Sequence, residues 1–486
     1  MRTVKLLTLL FIISLNVSAS DTTLYQEKYR PQYHFTPAHR WIGDPCGLLK
    51  FNGKYHAYSW GGAESTDLVH WKELNDHAIK GVPKGISTFT GGGVVDKKNS
   101  AGYGENAFVA AFTSYDEQTK KQSQSIAFSR DGGVSYQYYD LNPVIDIWST
   151  EFRDPTVIWD KKNNRWVMLV AKALEKKVAF YGSDDLKHWT WLSEFGPMGD
   201  SERSWECPDL FQVSVDGNPD NKKWVLLVSV NWAQEQYFVG EFDGTTFIPD
   251  KPDSEPLYVD HGLDYYASRV FQDYDDENSP VYTLGWVNTW DYANFAPTEY
   301  GKGIWSIPRE YRLKSSPDGI RLVQIPATQL EILRSEPIKY AKRLKPGITQ
   351  LPFISGMGNT YEMDVEFSYK DDKAFGLYLC EDEGRKVEIK YDPASRYLTL
   401  DRTNVSDVRI PKFERISNCK ITGGDGKLKL RIFVDKSTVE LFVNDGERVL
   451  TMLTFPSESQ TGASLYSLGG NVDVKMTVWK LDSIWQ

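Results

Sequence analysis

Cysteine is sparse for a chain of this size: four in 486 residues, at Cys46, Cys207, Cys380 and Cys419. That is too few for a disulfide scaffold, so hydrophobic packing has to hold the fold. Histidine is scarce as well, seven in all. His34, His56, His70 and His188 stand in strand and repeat motifs and not at ligand spacings, so no metal site is read. Past the N-terminus no run approaches the roughly 20 continuous apolar residues of a membrane-crossing helix. Positive charge is in the minority, 56 Lys and Arg against 66 Asp and Glu, with a formal net charge of −10. Nucleic acid and anionic membrane are therefore poor partners. Helical periodicity is almost absent.

What is there begins with Met1, Arg2 and Lys5, an apolar stretch from Leu6 to Leu15 and the small-residue site Val17-Ser18-Ala19. This is the pattern of a secretory signal peptide over residues 1–19. No cysteine follows the cleavage site, so a lipoprotein anchor is not expected and the mature chain should be secreted or periplasmic, without membrane insertion. Aromatic residues make up 14% of the chain. Their faces suit the apolar C–H patches of sugars, although strands favour aromatics for their own reasons.

Short β-branched and aromatic runs broken by Gly, Asn, Asp and Pro recur throughout, as in an all-β chain. They repeat with a period of about 50 to 60 residues, the range of propeller blades. The first unit runs from Asp44-Pro45 through the turn Asn52-Gly53 to Trp60 and on to Ser65-Thr66-Asp67-Leu68-Val69-His70-Trp71. The third runs from Asp154-Pro155 to Ser183-Asp184-Asp185-Leu186-Lys187-His188-Trp189, an echo of that ending. Others start near Gly92, Pro208 and Ala267, the last including Ile304 to Ile307. Five units predict a five-bladed β-propeller over residues 20–330, followed after a connecting stretch around 326–345 by a C-terminal β-sandwich over 340–486. Asp44 and Asp154 each precede a proline at the start of a unit, and Glu206 stands at nearly the same point of the fourth. Equivalent positions converge at the channel mouth. Three carboxylates gathered there repel one another, which is tolerated where chemistry requires it.

The motifs Trp41-Ile42-Gly43-Asp44-Pro45-Cys46-Gly47, Phe152-Arg153-Asp154-Pro155 and Trp205-Glu206-Cys207-Pro208-Asp209-Leu210 resemble the three signatures of glycoside hydrolase family 32, the invertases, inulinases, levanases and fructosyltransferases. Phe89-Thr90-Gly91-Gly92-Gly93, Asp264-Tyr265-Tyr266-Ala267 and Gly285-Trp286-Val287-Asn288 extend the resemblance, as does Leu430 to Gly446 in the sandwich. The resemblance implies a retaining β-fructosidase with Asp44 as nucleophile, Glu206 as acid/base and Asp154 as transition-state stabiliser. It implies sugar contacts from Trp41, Phe89, Thr90, Arg153, Cys207, Asp264, Tyr265, Trp286 and Trp290, and no metal or organic cofactor. An oxocarbenium-like transition state needs a carboxylate on one face and a proton donor on the other, which suits these roles. The expected substrate is a fructan or a sucrose-type sugar. Three alternatives stand beside hydrolysis: transfer of the fructosyl group from the same site, inverting chemistry of the arabinan-hydrolase kind, and a non-catalytic carbohydrate-binding propeller.

Gly43 and Cys46 occupy positions where family members usually carry Asn, and the segment between Trp60 and Trp71 is shorter than usual. A Gln and a Trp that often contact the sugar thus have no counterpart. A crowded pocket floor predicts exo attack releasing fructose, while a trimmed rim would favour internal cleavage. Cys46 and Cys207 are expected as free thiols.

Overall fold

The computed structural model describes residues 24–59, 61–74, 79–251, 255–382, 384–422 and 426–485; the leader read at 1–19 and Trp60 lie outside the described residues. The regular elements among the described residues are strands and four short 3₁₀ helices, with no α-helix.

Each blade starts with its innermost strand: β1 (Cys46–Phe51), β2 (Ile86–Asp96), β3 (Phe152–Asp160), β4 (Trp205–Val215) and β5 (Tyr266–Val270). Each pairs antiparallel with the next strand of its own blade, as β1 does across Asn52-Gly53. Both residues of that turn are left-handed, φ 53° and 73°, the hairpin geometry that matches strand twist. Successive innermost strands pack side by side and β5 returns against β1, which closes the ring. A short strand at Gln272–Asp273 pairs parallel with Leu49 and Lys50 and ties the fifth blade to the first.

All five innermost strands slip register near their start, between Cys46 and Leu49, Thr88 and Gly91, Arg153 and Thr156, Glu206 and Asp209, and Tyr266 and Arg269. Bulges of this kind re-aim side chains and concentrate at functional ends of sheets. Gly47, Asp154, Cys207 and Ala267 take the left-handed conformation at these slips, with φ between 49° and 63°, costly for the three that are not glycine. This register corrects the sequence alignment of the units. Gly47, not Asp44, is the counterpart of Asp154, and Glu206 matches Arg153. The carboxylates converge from three different positions of the repeat.

A second correction concerns the fifth blade. Ile304 to Ile307 form no strand; they meet the sheet at a bridge between Trp286 and Trp305 and at a 3.1 Å hydrogen bond from the Gly285 N–H to Ser306 Oγ. The reason is local: Trp305 Nε1 donates to the Gly43 carbonyl at 3.0 Å, and a Cβ on Gly303 would strike the Ile42 carbonyl at 1.8 Å. The segment is thus stitched to the chain leading into Asp44. The blade is completed by Val281–Trp286, Arg309–Ser316 and Gly319–Pro326.

The first sandwich strand is Ile338–Leu344 and the last Val472–Lys480, which pair with each other along their length. Among the described residues the sandwich has two six-stranded sheets, and their inner faces bury one continuous core including Phe367, Phe375, Leu377, Ile432 and Leu465. Buried charges join the two domains. His34 contacts Asp435 (2.8 Å) and Glu440 (3.0 Å) through its two ring nitrogens. Arg309 binds Glu440 (2.5 Å) and Asp260 (3.0 Å).

Candidate active site

Asp44 lies just ahead of β1 at the channel mouth. Its Oδ2 accepts a 2.6 Å hydrogen bond from Thr90 Oγ1, which the bulge of β2 turns toward it. Its Oδ1 is buried and has no hydrogen-bond partner. Burial pushes the Asp44 carboxyl up to about 6; the Thr90 bond opposes this and the Glu206 charge adds to it.

Asp154 is held from two sides. Its main-chain N–H donates to Thr113 Oγ1 at 2.9 Å, and its Oδ2 accepts from the Cys207 N–H at 3.1 Å. Burial raises its pKa, with Glu206 and Asp44 adding to the rise and Arg153 working against it. The Cys207 thiol lies 3.8 Å from Asp44 Oδ2 and 3.7 Å from Asp154 Oδ2, so one sulfur separates the two carboxylates. Burial drives this thiol far above its ordinary range. Cys46 donates to the Asp44 carbonyl at 3.3 Å, and all four cysteines are free.

Glu206 is fixed through both oxygens. Arg153 Nε and Nη2 reach Oε1 at 3.0 and 2.9 Å, and the Tyr266 hydroxyl donates to Oε2. Arg153 is oriented in turn by Glu151 (2.7 Å) and Gln122 (3.1 Å). Beneath them Arg269 donates to Thr156 Oγ1 and the Pro208 carbonyl, and its other Nη lies 3.4 Å from the Asp154 carbonyl.

Aromatic rings frame this cluster. Trp41 stacks on Trp290 (6.2 Å, 13°), and Trp286 lies 4.9 Å from Trp290. The indole N–H groups of Trp41 and Trp286 are buried without a partner. Phe89 is exposed and stacks on Tyr115 at 4.7 Å.

Two residues read from sequence as sugar contacts lie elsewhere. Asp264 is fully buried beneath the sandwich, bound by Arg402 and the Tyr292 hydroxyl, with the Leu453 N–H donating at 2.7 Å. Tyr265 is buried with the Arg309 guanidinium 4.1 Å from its ring. A Cβ on Gly285 would meet that ring at 2.4 Å, so glycine there makes its berth. The adjacent Tyr266 takes the opposite face of the strand and reaches Glu206. Sequence reasoning missed Tyr266, Gln122, Glu151, Thr113 and Arg269. Only Arg269 left a signal, a charge inside an apolar strand.

A five-bladed propeller with three clustered carboxylates, an arginine and a ring of indoles at its mouth defines a carbohydrate-cleaving enzyme of the glycoside hydrolase class. Residues 34–326 match the N-terminal domain of the glycosyl hydrolases family 32 and residues 329–480 its C-terminal domain. The chain belongs to glycosyl hydrolase family 32. It is 39% identical to a levanase of Bacillus subtilis (strain 168), over 98% of this chain and 74% of that one. To the extracellular exo-inulinase of Aspergillus awamori it is 34% identical, over 95% and 96% of the two chains. The crystal structure of exo-inulinase from the same fungus superposes with a TM-score of 0.87 at 33% identity, covering 95% of this chain and 100% of that one.

Proposed function

We propose that the protein is a secreted β-fructofuranosidase that hydrolyses fructans or sucrose-type sugars by a retaining double displacement through Asp44 and Glu206. The observation that carries this reading is the contrast between the two carboxylates. Asp44 keeps one buried oxygen unpartnered, as a nucleophile needs, while both Glu206 oxygens are held, which fixes a proton donor in place.

In the first step Asp44 Oδ1 bonds to the anomeric carbon, the bond from that carbon to the leaving oxygen breaks, and the Glu206 proton passes to that oxygen. In the second, Glu206 takes a proton from water, the water oxygen bonds to the anomeric carbon and the ester to Asp44 breaks. Asp154, positioned by the Cys207 and Thr113 bonds, stabilises the oxocarbenium-like ring in the transition state of each step. Arg153 keeps Glu206 in place and carries positive charge into the cluster.

Secretion rests on the leader motif at 1–19; among the described residues no helix is long and apolar enough to cross a membrane. Water prevails over a sugar acceptor in this reading, in keeping with the hydrolases to which the chain is similar. The test is ¹H NMR of fructose freshly released from sucrose, levan and inulin. Release as the β-anomer is expected. Initial release of the α-anomer, or no release from any of the three, would overturn the reading.

A further inference from the structure

Trp148 combines exposure with backbone strain. It is 82% exposed, and its φ of 58° lies in the left-handed region, where a bulky aromatic residue is an outlier that only its surroundings can hold. The constraint is local. Strand Ile145–Ser149 slips register against Gln122–Ser129 between Ile145 and Ser149, and inside that bulge the Trp148 N–H donates to Asp146 Oδ1 at 2.9 Å. Asp146 also pairs with Lys121 at 2.7 Å, and the Lys121 ammonium stands 4.1 Å from the centre of the indole ring. A cation thus covers one face of the ring, and the high exposure leaves the other open.

Trp232 shares the left-handed backbone, with φ 67°, but is only 42% exposed. Its carbonyl accepts from Thr289 Oγ1 at 3.0 Å and from the Trp290 N–H at 3.3 Å, so its conformation serves to join the fourth blade to the fifth. Asp146 and Lys121 instead hold Trp148 with its ring outward. The ring is tied to the site through its neighbours. Ser149 pairs with Gln122, and its Oγ accepts from the Glu151 N–H at 3.0 Å. Gln122 and Glu151 are the two side chains that orient Arg153, at 3.1 and 2.7 Å, and Arg153 holds Glu206. Trp148 therefore stands on the rim outside the proton donor, with Arg153 and the pair that orients it in between.

We propose that Trp148 is a platform for the departing chain: a fructosyl unit beyond the one joined to the cleaved bond stacks on its open face, so that the enzyme favours fructans over sucrose. This rests on the β-fructosidase reading above. The chemistry gives the direction. Glu206 protonates the departing oxygen, so the leaving chain exits past Glu206 and Arg153, where the ring stands. The apolar C–H face of a sugar suits an indole. In sucrose the departing group is a single ring, and nothing of it remains to reach the rim.

The experiment compares kcat/KM for sucrose, levan and inulin in the wild type, Trp148→Gly and Trp148→Tyr. Glycine deletes the ring and relieves the left-handed backbone, so the fold is kept, as the melting temperature should show. In Trp148→Gly the ratio of fructan to sucrose kcat/KM should fall about tenfold, which corresponds to about 1.4 kcal/mol, through a raised KM for fructan; tyrosine should restore most of it. A fall with levan alone assigns a departing chain linked through its 6-hydroxyls, one with inulin alone a chain linked through its 1-hydroxyls, and a fall with both a platform indifferent to linkage. An unchanged ratio in Trp148→Gly, or a loss in Trp148→Tyr as large as in Trp148→Gly, would overturn the inference and leave the β-fructosidase reading intact. So would a wild type that cleaves sucrose and neither polymer. No cleavage of any of the three by the wild type would sink both.

Discussion

Buried charge gathers in two places in this molecule, the channel mouth and the seam between propeller and sandwich, and the two treat it in opposite ways. At the seam every carboxylate has partners: Glu440 has His34, Arg309 and the Ile307 N–H; Asp264 has Arg402, Tyr292 and the Leu453 N–H. At the mouth Asp44 has an orphaned oxygen, and Asp154 and Cys207 adopt left-handed backbone. Satisfied buried charge specifies how parts fit together, and its loss is destabilising. Unsatisfied and strained buried charge is retained at a cost to stability where chemistry uses it.

Breaking that contrast gives the largest expected effect. Asp44→Asn should lower turnover more than about 10⁴-fold, over about 5 kcal/mol of transition-state stabilisation. It should also leave stability unchanged or raise it by up to about 2 kcal/mol. The sign follows from the pKa. Burial lifts Asp44 in the folded state from 3.8 to about 6, so its ionisation works against folding above 3.8, and Asn removes that penalty. Activity above about a hundredth of wild type, or a marked fall in melting temperature, would contradict the assignment.

The converse change is at the seam. Arg402→Met strands Asp264 and should cost about 4 kcal/mol, read as a lowered denaturant midpoint.

His34 sharpens the comparison through pH. Burial lowers its pKa, but hydrogen bonds to Asp435 and Glu440 outweigh this and raise it from 6.5 to about 9. A raised folded-state pKa gives stability that is complete below 6.5 and is lost as pH climbs through 9. Up to about 3 kcal/mol is at stake. Thermal melts from pH 6 to 10 should show the decline, and His34→Gln should flatten it.

The smallest effect belongs to Tyr266→Phe, which frees one Glu206 oxygen. Turnover should fall about tenfold, near 1.4 kcal/mol, with the melting temperature unchanged. Unaltered pH–rate behaviour and turnover would remove Tyr266 from the site.

The repeats, the all-β architecture and the three carboxylate motifs were legible in the sequence because each blade carries the same strand-turn-strand pattern. The register at the mouth was not. Matching Asp-Pro with Asp-Pro aligned Asp44 with Asp154, whereas the bulges make Gly47 the true counterpart. A bulge shifts register without leaving its own residue signature. Tyr265 and Tyr266 are neighbours of one type on opposite faces of a strand, so which one faces Glu206 depends on that same register. Asp264 read as a site residue because Arg402, its partner, lies 138 positions away.

The most direct test of the account is to trap the intermediate. In the Glu206→Gln variant, incubated with an activated fructosyl donor whose leaving group needs no proton, the ester should form and then persist, because no base remains to activate water. Mass spectrometry of the digested protein should place one fructosyl group on the peptide carrying Asp44. A fructosyl group on Asp154, or complete turnover with the α-anomer released and no adduct at any residue, would contradict it.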